Sequence, residues 1–458
     1  MIVPYLLQIF TLWHAAFATD HTGLRALRHA LALIASLGRG TITAVLRTLH
    51  LTGPNWHKEY RLYTHRRWSP RTLFDVLLAQ ALPLCPTDYV VAGLDDTCLP
   101  KTGKHIPGVT YGRDPQSPAF HVNLRRHLRF IHVALLLPLY QAGATAARAL
   151  PLRFEHAPPA PKLRHDATPE EHVAHTVAQA AQRLPVVGWG LVQNVRETLD
   201  ALGQTAKTLL MVVDGSYCTR RFFREALPRV EVLARCRKNQ RLCRRHPGGG
   251  RRFYTVDTVT PDDVRQDDTR PWQAGWFWFG GQRRWLRYKD VRDVYWRTGG
   301  GRRALRLLVL APTGYRLCRR GKLLYREPAY LLTTDLTATT AFLMQSYLDR
   351  WQMEVAHRDG KTLMGVGEAQ VRHPQAVARQ PAFVMAVYGA LVLAPLLAAA
   401  DERPVFYHPM PAWYDGPLRP SLEDIRRVVR QEMLEHPEWI AEYGIVIDAE
   451  HLVLNAAA

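Results

Sequence analysis

The chain is 458 residues long, with 60 Lys+Arg against 40 Asp+Glu, a formal charge of +20 and 47% hydrophobic residues. So large an apolar fraction excludes a disordered tail, and the charge makes a small acidic molecule a poor sole partner. A polyanion fits better, nucleic acid first and an anionic membrane surface second.

The length predicts two to four domains or one elaborated domain. Six scattered cysteines with no Cys-x-x-Cys pair argue against a disulfide framework or a zinc site, and are expected to be reduced in a cytoplasmic protein. The apolar runs 2–18 and 386–400 fall short of the ~20 residues that span a bilayer, and are expected to be buried helices of a soluble chain.

Residues 1–85 are predicted to be helical. Leu24, Leu27, Leu31 and Ile34 recur at helical spacing, with Arg25, Arg28, Arg39 and Arg47 around them. The stretch 40–49 predicts a helix opened by a threonine cap, either in a DNA-reading helix-turn-helix or in an ordinary bundle. After Pro86 the pattern changes to strands and helices. Strands are predicted at 89–94, ending on Asp95-Asp96-Thr97, and at 129–137, 208–213 (ending on Asp214), 230–234 and 330–336. Helices are predicted at 169–184, with Glu170 and Glu171 in the first turn, and from Arg221 to Ala226. Residues 237–328, rich in Arg, Gly and Trp, predict an antiparallel β insertion, and 339–363 one long helix. Strand–helix alternation makes the fold class α/β. Residues 401–458 predict a helical extension.

Acids at the ends of adjacent strands repel unless a cation lies between them, and an oxygen-only ligand set suits Mg2+ or Mn2+. Asp96 and Asp214 are so placed. Tyr347, Arg350, Glu354 and Lys361 fall within about 60° of one another at ~100° per residue, forming one stripe of acid, cations and phenol. Such a stripe suits a metal ligand flanked by phosphate-gripping groups, although solvated charged faces also look this way.

The spacing Tyr347-x2-Arg350-x3-Glu354-x6-Lys361 resembles the Tyr-Arg-Glu-Lys signature of DDE transposases from bacterial insertion sequences. The runs Leu94-Asp-Asp-Thr-Cys-Leu-Pro-Lys101 and Val212-Val-Asp214-Gly-Ser-Tyr217 are similar to the first and second acidic motifs of the group that begins with Asp-Asp-Thr. The resemblance spans about residues 20–395. It implies a ribonuclease-H-like mixed sheet flanked by helices, with the catalytic core in 86–236 and 329–400, a β-rich insertion at 237–328 and an N-terminal helical domain. It further implies two divalent ions held by Asp96, Asp214 and Glu354, which act on the terminal inverted repeats of a transposon and on target DNA. Tyr347, Arg350 and Lys361 would bind phosphates. A homodimer would form in the DNA complex, and no membrane is involved.

Alternation along the strand puts Asp95 and Asp96 on opposite faces, so only one can be the ligand; Asp96, which precedes the threonine, is preferred. Gly360 is expected to bend the helix before Lys361. A tryptophan among Trp272, Trp276, Trp278, Trp285 and Trp296 is a candidate DNA contact, with no basis for choosing. Lys101, Lys104, Arg220, Arg221 and Lys238 are expected phosphate contacts, as are Arg235, Arg237, Arg241, Arg244, Arg245, Arg251 and Arg252 around the start of the insertion. The alternatives are a catalytically silent DNA-binding derivative of such an enzyme and a structure-specific DNA nuclease. A two-carboxylate glycosidase is disfavoured by the charge.

Overall fold

The computed structural model describes residues 1–446 apart from 66, 115–116, 119, 139–146, 249–251, 319, 404, 406 and 408–419. Arg251 and part of the glycine run at 248–250 therefore lie outside the described residues, as does much of the C-terminal extension.

The first 85 residues form five helices: α1 (Val3–Leu12), α2 (Asp20–Ala35), α3 (Ile42–Thr48), α4 (His57–Thr64) and α5 (Pro70–Ala81). Thr41 caps α3 by accepting from the Ala44 N–H, as its sequence predicts, and Thr19 and Ser69 cap α2 and α5 in the same way. Ile42, Val45, Leu46 and Thr48 are buried, so α3 is bound into the fold on its apolar side.

Strands β1 (Tyr89–Pro100), β2 (Thr110–Arg113), β3 (Leu124–Leu137) and β4 (Arg148–His156) follow, then helices α6 (Pro169–Ala181) and α7 (Leu184–Ala201). After these come β5 (Thr208–Val213), α8 (Arg220–Arg224) and β6 (Val230–Arg235). In space the core order is β4-β3-β1-β5-β6, with β1, β5 and β6 parallel and β3 antiparallel to both β1 and β4. This is the mixed five-stranded sheet that the resemblance implies, although β4 is not among the strands predicted from the sequence and joins the sheet by pairing with β3.

One difference from the sequence reading matters for the site. The first strand does not end before the acids. Parallel pairing of β1 with β5 stops at Leu94↔Val213, but antiparallel pairing with β3 runs on through Asp95↔His132 and Asp96↔Ile131 to Pro100↔His127. The apolar run ends at Leu94 because the neighbour on one side ends there, not because the strand does.

The insertion holds β7 (Leu242–Arg245), β8 (Tyr254–Val259), α9 (Pro261–Gln266), β9 (Gln273–Phe279), β10 (Gln282–Val294), β11 (Leu305–Leu310), β12 (Gly314–Tyr315) and β13 (Leu324–Tyr325). Then β14 (Ala329–Thr333) returns to the core. The insertion is antiparallel, as its alternating pattern implies, but much of it is not a separate layer. β14 pairs with β6, and β11, β10 and β9 continue beyond it, so core and insertion share one ten-stranded sheet.

The predicted long helix is two, α10 (Thr340–Asp349) and α11 (Trp351–Thr362), meeting at Arg350. Gly360 does not interrupt α11, which runs on to Thr362. It lies inside the helix, where a Cβ would stand 2.9 Å from the Met385 sulfur, so glycine permits close approach to α12 (Pro374–Ala400). α12 is long and apolar enough to cross a membrane, yet it is buried in the fold. Phe383 on α12 contacts the rings of Trp13, Tyr63 and Trp68, which joins the N-terminal helices to the core.

α13 (Leu422–Glu435) and α14 (Glu438–Ala441) complete the described chain. α13 is more than decoration. The Glu432 carboxylate accepts from the N–H groups of Ile2 and Val3 at the start of α1. Arg426 and Arg430 donate to the Ser36 carbonyl, and Arg430 also to that of Ile34, at the end of α2.

Candidate active site

The two faces of β1 are fixed by what packs on them. A Cβ at Gly93 would meet Met353 of α11 at 2.9 Å, and His132, opposite Asp95, hydrogen-bonds His357 of α11. Asp95 therefore faces α11. On the other side, a Cβ at Gly188 of α7 would lie 3.0 Å from the Tyr217 ring and 3.4 Å from Leu94. Asp96 shares that face with Leu94, and the charges that act on it most are Arg129 and Asp214.

Arg350 ties the α11 face together. Its Nη1 lies 3.3 Å from Asp95 Oδ2 and its Nη2 3.9 Å from Glu354 Oε1. Asp95 and Asp214 are the residues that directly follow the last β1–β5 couple, Leu94↔Val213. Asp214 Oδ1 is held by the Ser216 N–H at 2.9 Å and the Ser216 hydroxyl at 2.6 Å, which is what the Asp-Gly-Ser turn supplies. The Tyr347 phenol is raised by burial and feels Arg235, Arg350, Glu354 and Asp214, so it stands among the same charges.

The electrostatics are those of carboxylates short of positive charge. Burial pushes Asp95 up to about 7 against the pull of Arg350, and Asp214 and Asp96 push it further. Asp96 is raised by burial, opposed by Arg129 and reinforced by Asp214. Glu354 is raised by burial against Arg350 and Arg326. Among the described residues no three His, Cys, Asp or Glu side chains stand close enough together to hold an ion. The Arg350 guanidinium stands between Asp95 and Glu354. The donors are all oxygens, which suits Mg2+ or Mn2+ rather than a softer metal.

A first difference from the expectations concerns Asp96. It sits on the α7 face, whereas the ion pairs run from Asp95 through Arg350 to Glu354. The Thr97 neighbour gave no information about facing.

The other expected residues divide. Lys361 lies in the last turn of α11, half-buried, and is lowered by burial, with Cys98, Arg125, Asp114 and Asp95 around it. Lys104, Arg220 and Lys238 are exposed, while Arg221 is paired with Glu225 at 2.6 Å. Lys101 is a second difference. It is buried, with its Nζ donating to the carbonyls of Gly367 at 2.6 Å and Ala369 at 2.7 Å, and burial pushes it down to about 8. It holds the segment after α11 and is not open to a phosphate. Lys101→Met is expected to destabilise the fold by roughly 1–3 kcal/mol by leaving two buried carbonyls unmet. It should leave the salt slope of DNA binding unchanged, whereas loss of a phosphate contact would reduce that slope by about 0.9. Denaturant titration and salt-dependent binding read the two.

Sequence reasoning missed Arg326 and the histidine pair. Arg326 follows β13, stacks over Phe279 and Tyr315 at 5.1 and 5.4 Å, and acts on Glu354. No local signal marks it, since only the sheet brings it there. Of the tryptophans, Trp296 is buried against Phe223, while Trp276 and Trp285 are exposed partners across β9 and β10. A cleft of about 1080 Å³ is lined by Arg237, Arg241, Arg252, Arg297 and Arg302 with Phe253 and Tyr254.

A mixed sheet ordered β4-β3-β1-β5-β6, with acids where the central parallel strands part and a third acid on a later helix, defines a ribonuclease-H-like fold. The family model of the DDE superfamily endonucleases matches residues 14–300, and the chain belongs to that family. None of the curated proteins compared with it matches the chain. Glu354 lies beyond the matched residues, so its assignment rests on geometry.

Proposed function

We propose that the protein is a DNA transposase that cleaves at transposon ends and joins the freed 3′-hydroxyl to target DNA. The observation that carries this reading is the chain Asp95–Arg350–Glu354, which joins a strand to a helix, with Asp214 following the neighbouring parallel strand and acting on Asp95. Asp95, Asp214 and Glu354 are the proposed ligands of two Mg2+ or Mn2+ ions. Such ions, when bound, activate the attacking oxygen and stabilise the leaving one in an in-line displacement at phosphorus.

The residues of the chain supply the rest. Arg350, freed from its carboxylates, grips a phosphate near the cleaved bond, with Tyr347 beside it and Lys361 at the far end of the stripe. Lys104, Arg220 and Lys238 extend the phosphate track, and the arginine cleft offers a further basic surface. In the first step water attacks a phosphodiester, leaving a 3′-hydroxyl and a 5′-phosphate. In the second that 3′-hydroxyl attacks target DNA and releases a new 3′-hydroxyl. Two ends must meet, so the active assembly is at least a homodimer on DNA, and its setting is the bacterial cytoplasm.

The test is incubation with the inverted-repeat DNA flanking the coding sequence and Mg2+. Cleavage followed by strand joining supports the proposal. Cleavage without joining indicates a structure-specific nuclease, and binding without cleavage a catalytically silent derivative.

A further inference from the structure

We infer that the pair His132–His357, the first buried and the second half-buried, is a positioning element that sets the helix carrying Glu354 at its working distance from Asp95. This rests on the reading of those acids as metal ligands. His132 Nδ1 and His357 Nε2 are 3.0 Å apart, with ring centroids 5.1 Å apart. His132 is on β3, directly opposite Asp95, and is fully buried. His357 lies on α11, three residues beyond Glu354 and seven beyond Arg350, so all three project from nearly the same side of the helix. α11 is thus fastened to the sheet by two polar links on one line, Arg350 to Asp95 and His357 to His132.

Apolar side chains pack on the pair, with Lys361 and Arg350 within electrostatic reach of His357. The Phe154 ring stands edge-on to His132 at 5.5 Å, and Met353 of α11 packs over Gly93. His132 Nε2 is buried and has no hydrogen-bond partner among the described residues. Burial pushes His132 down to about 3 and His357 well below the usual imidazole range, so both rings are neutral and one donates to the other. Two aliphatic side chains would fill this space without desolvating any polar nitrogen. What they would lack is direction. A hydrogen bond fixes both the separation and the rotation of the helix, whereas an apolar contact lets it slide or turn by a fraction of an ångström. Glu354 is only ~4.5 Å along the axis from His357, so such a slip passes directly to its carboxylate.

The test uses the full chain and the variants His357→Leu, His132→Leu, the double variant and His357→Gln, with Mn2+ affinity measured by calorimetry in the absence of DNA. His357→Leu is expected to keep its thermal midpoint within a few degrees and to weaken Mn2+ binding about tenfold, the range found when a group behind a metal ligand is lost. The double variant should be no weaker than either single one, and His357→Gln, which can still hydrogen-bond, should recover part of the affinity. Metal-free DNA binding should not change. If Glu354→Gln loses Mn2+ affinity while His357→Leu does not, the positioning role is overturned and the metal site stands. If neither variant differs from the parent chain, both readings fall. Should His357→Leu not fold, His132→Leu and His357→Gln still decide the matter by the same measurement.

Discussion

Glu354→Gln is expected to abolish cleavage of end DNA, by on the order of 10³-fold or more, while leaving DNA binding intact. A lost metal ligand forfeits several kcal/mol of transition-state stabilisation, and each 1.4 kcal/mol is about tenfold in rate. Binding should survive because Gln keeps the shape of the side chain and Glu354 is partly exposed, so nothing in the packing depends on it. Metal-free binding should even tighten slightly. One negative charge disappears from a surface that must accept phosphates, and Arg350 loses one of the two carboxylates that occupy it. Gel-shift and single-turnover cleavage assays on one preparation read both effects, and undiminished cleavage would refute the assignment of Glu354.

The second large effect separates Asp95 from Asp96. Asp95→Asn is expected to be as damaging to cleavage as Glu354→Gln, whereas Asp96→Asn, on the other face, should retain much of the activity. Stability should move the opposite way. Asp95 is raised to about 7 in the folded chain from an ordinary value of 3.8. Between these values the folded chain keeps a proton that the unfolded chain has released. The contribution of this group to stability therefore falls as pH rises through that window, and is at its worst above 7. Asparagine carries no such penalty. In metal-free buffer Asp95→Asn should melt above the parent at pH 8, with the gap closing by pH 5. Added Mg2+ should raise the melting temperature of the parent and not of the variant. Cleavage that survives Asp95→Asn and dies in Asp96→Asn would return the ligand role to Asp96.

Much of the architecture was legible before any coordinates, because strands covered on both faces are near-continuous apolar runs and helix starts carry cap residues. Thr41 caps the helix predicted in 40–49, and Thr168 and Thr339 cap the helices predicted from 169 and 339. The strand ends were less legible. β1 runs through its two acids because β3 still pairs with it, and pairing with a distant segment leaves no mark on the residues themselves. α7 went unrecognised because Gly188 and Gly190 lower its propensity, yet Gly188 is what lets it close on Tyr217.

The polar stripe from Tyr347 to Lys361 was visible as a period, and it survives the break at Arg350 because that residue is still in helical conformation. Its partners were not visible. That Arg350 meets Asp95, that Lys101 turns inward and that Arg326 approaches Glu354 are consequences of sheet order and register. These depend on residues far apart along the chain.

The shared ladder from β6 through β14 to β9 bears on any attempt to trim the protein to a minimal nuclease. Removing 237–328 would leave β14, whose five residues are all buried, with a raw backbone border facing water. An apolar strand exposed in that way pairs with the next copy of itself, so the shortened chain should precipitate rather than cut.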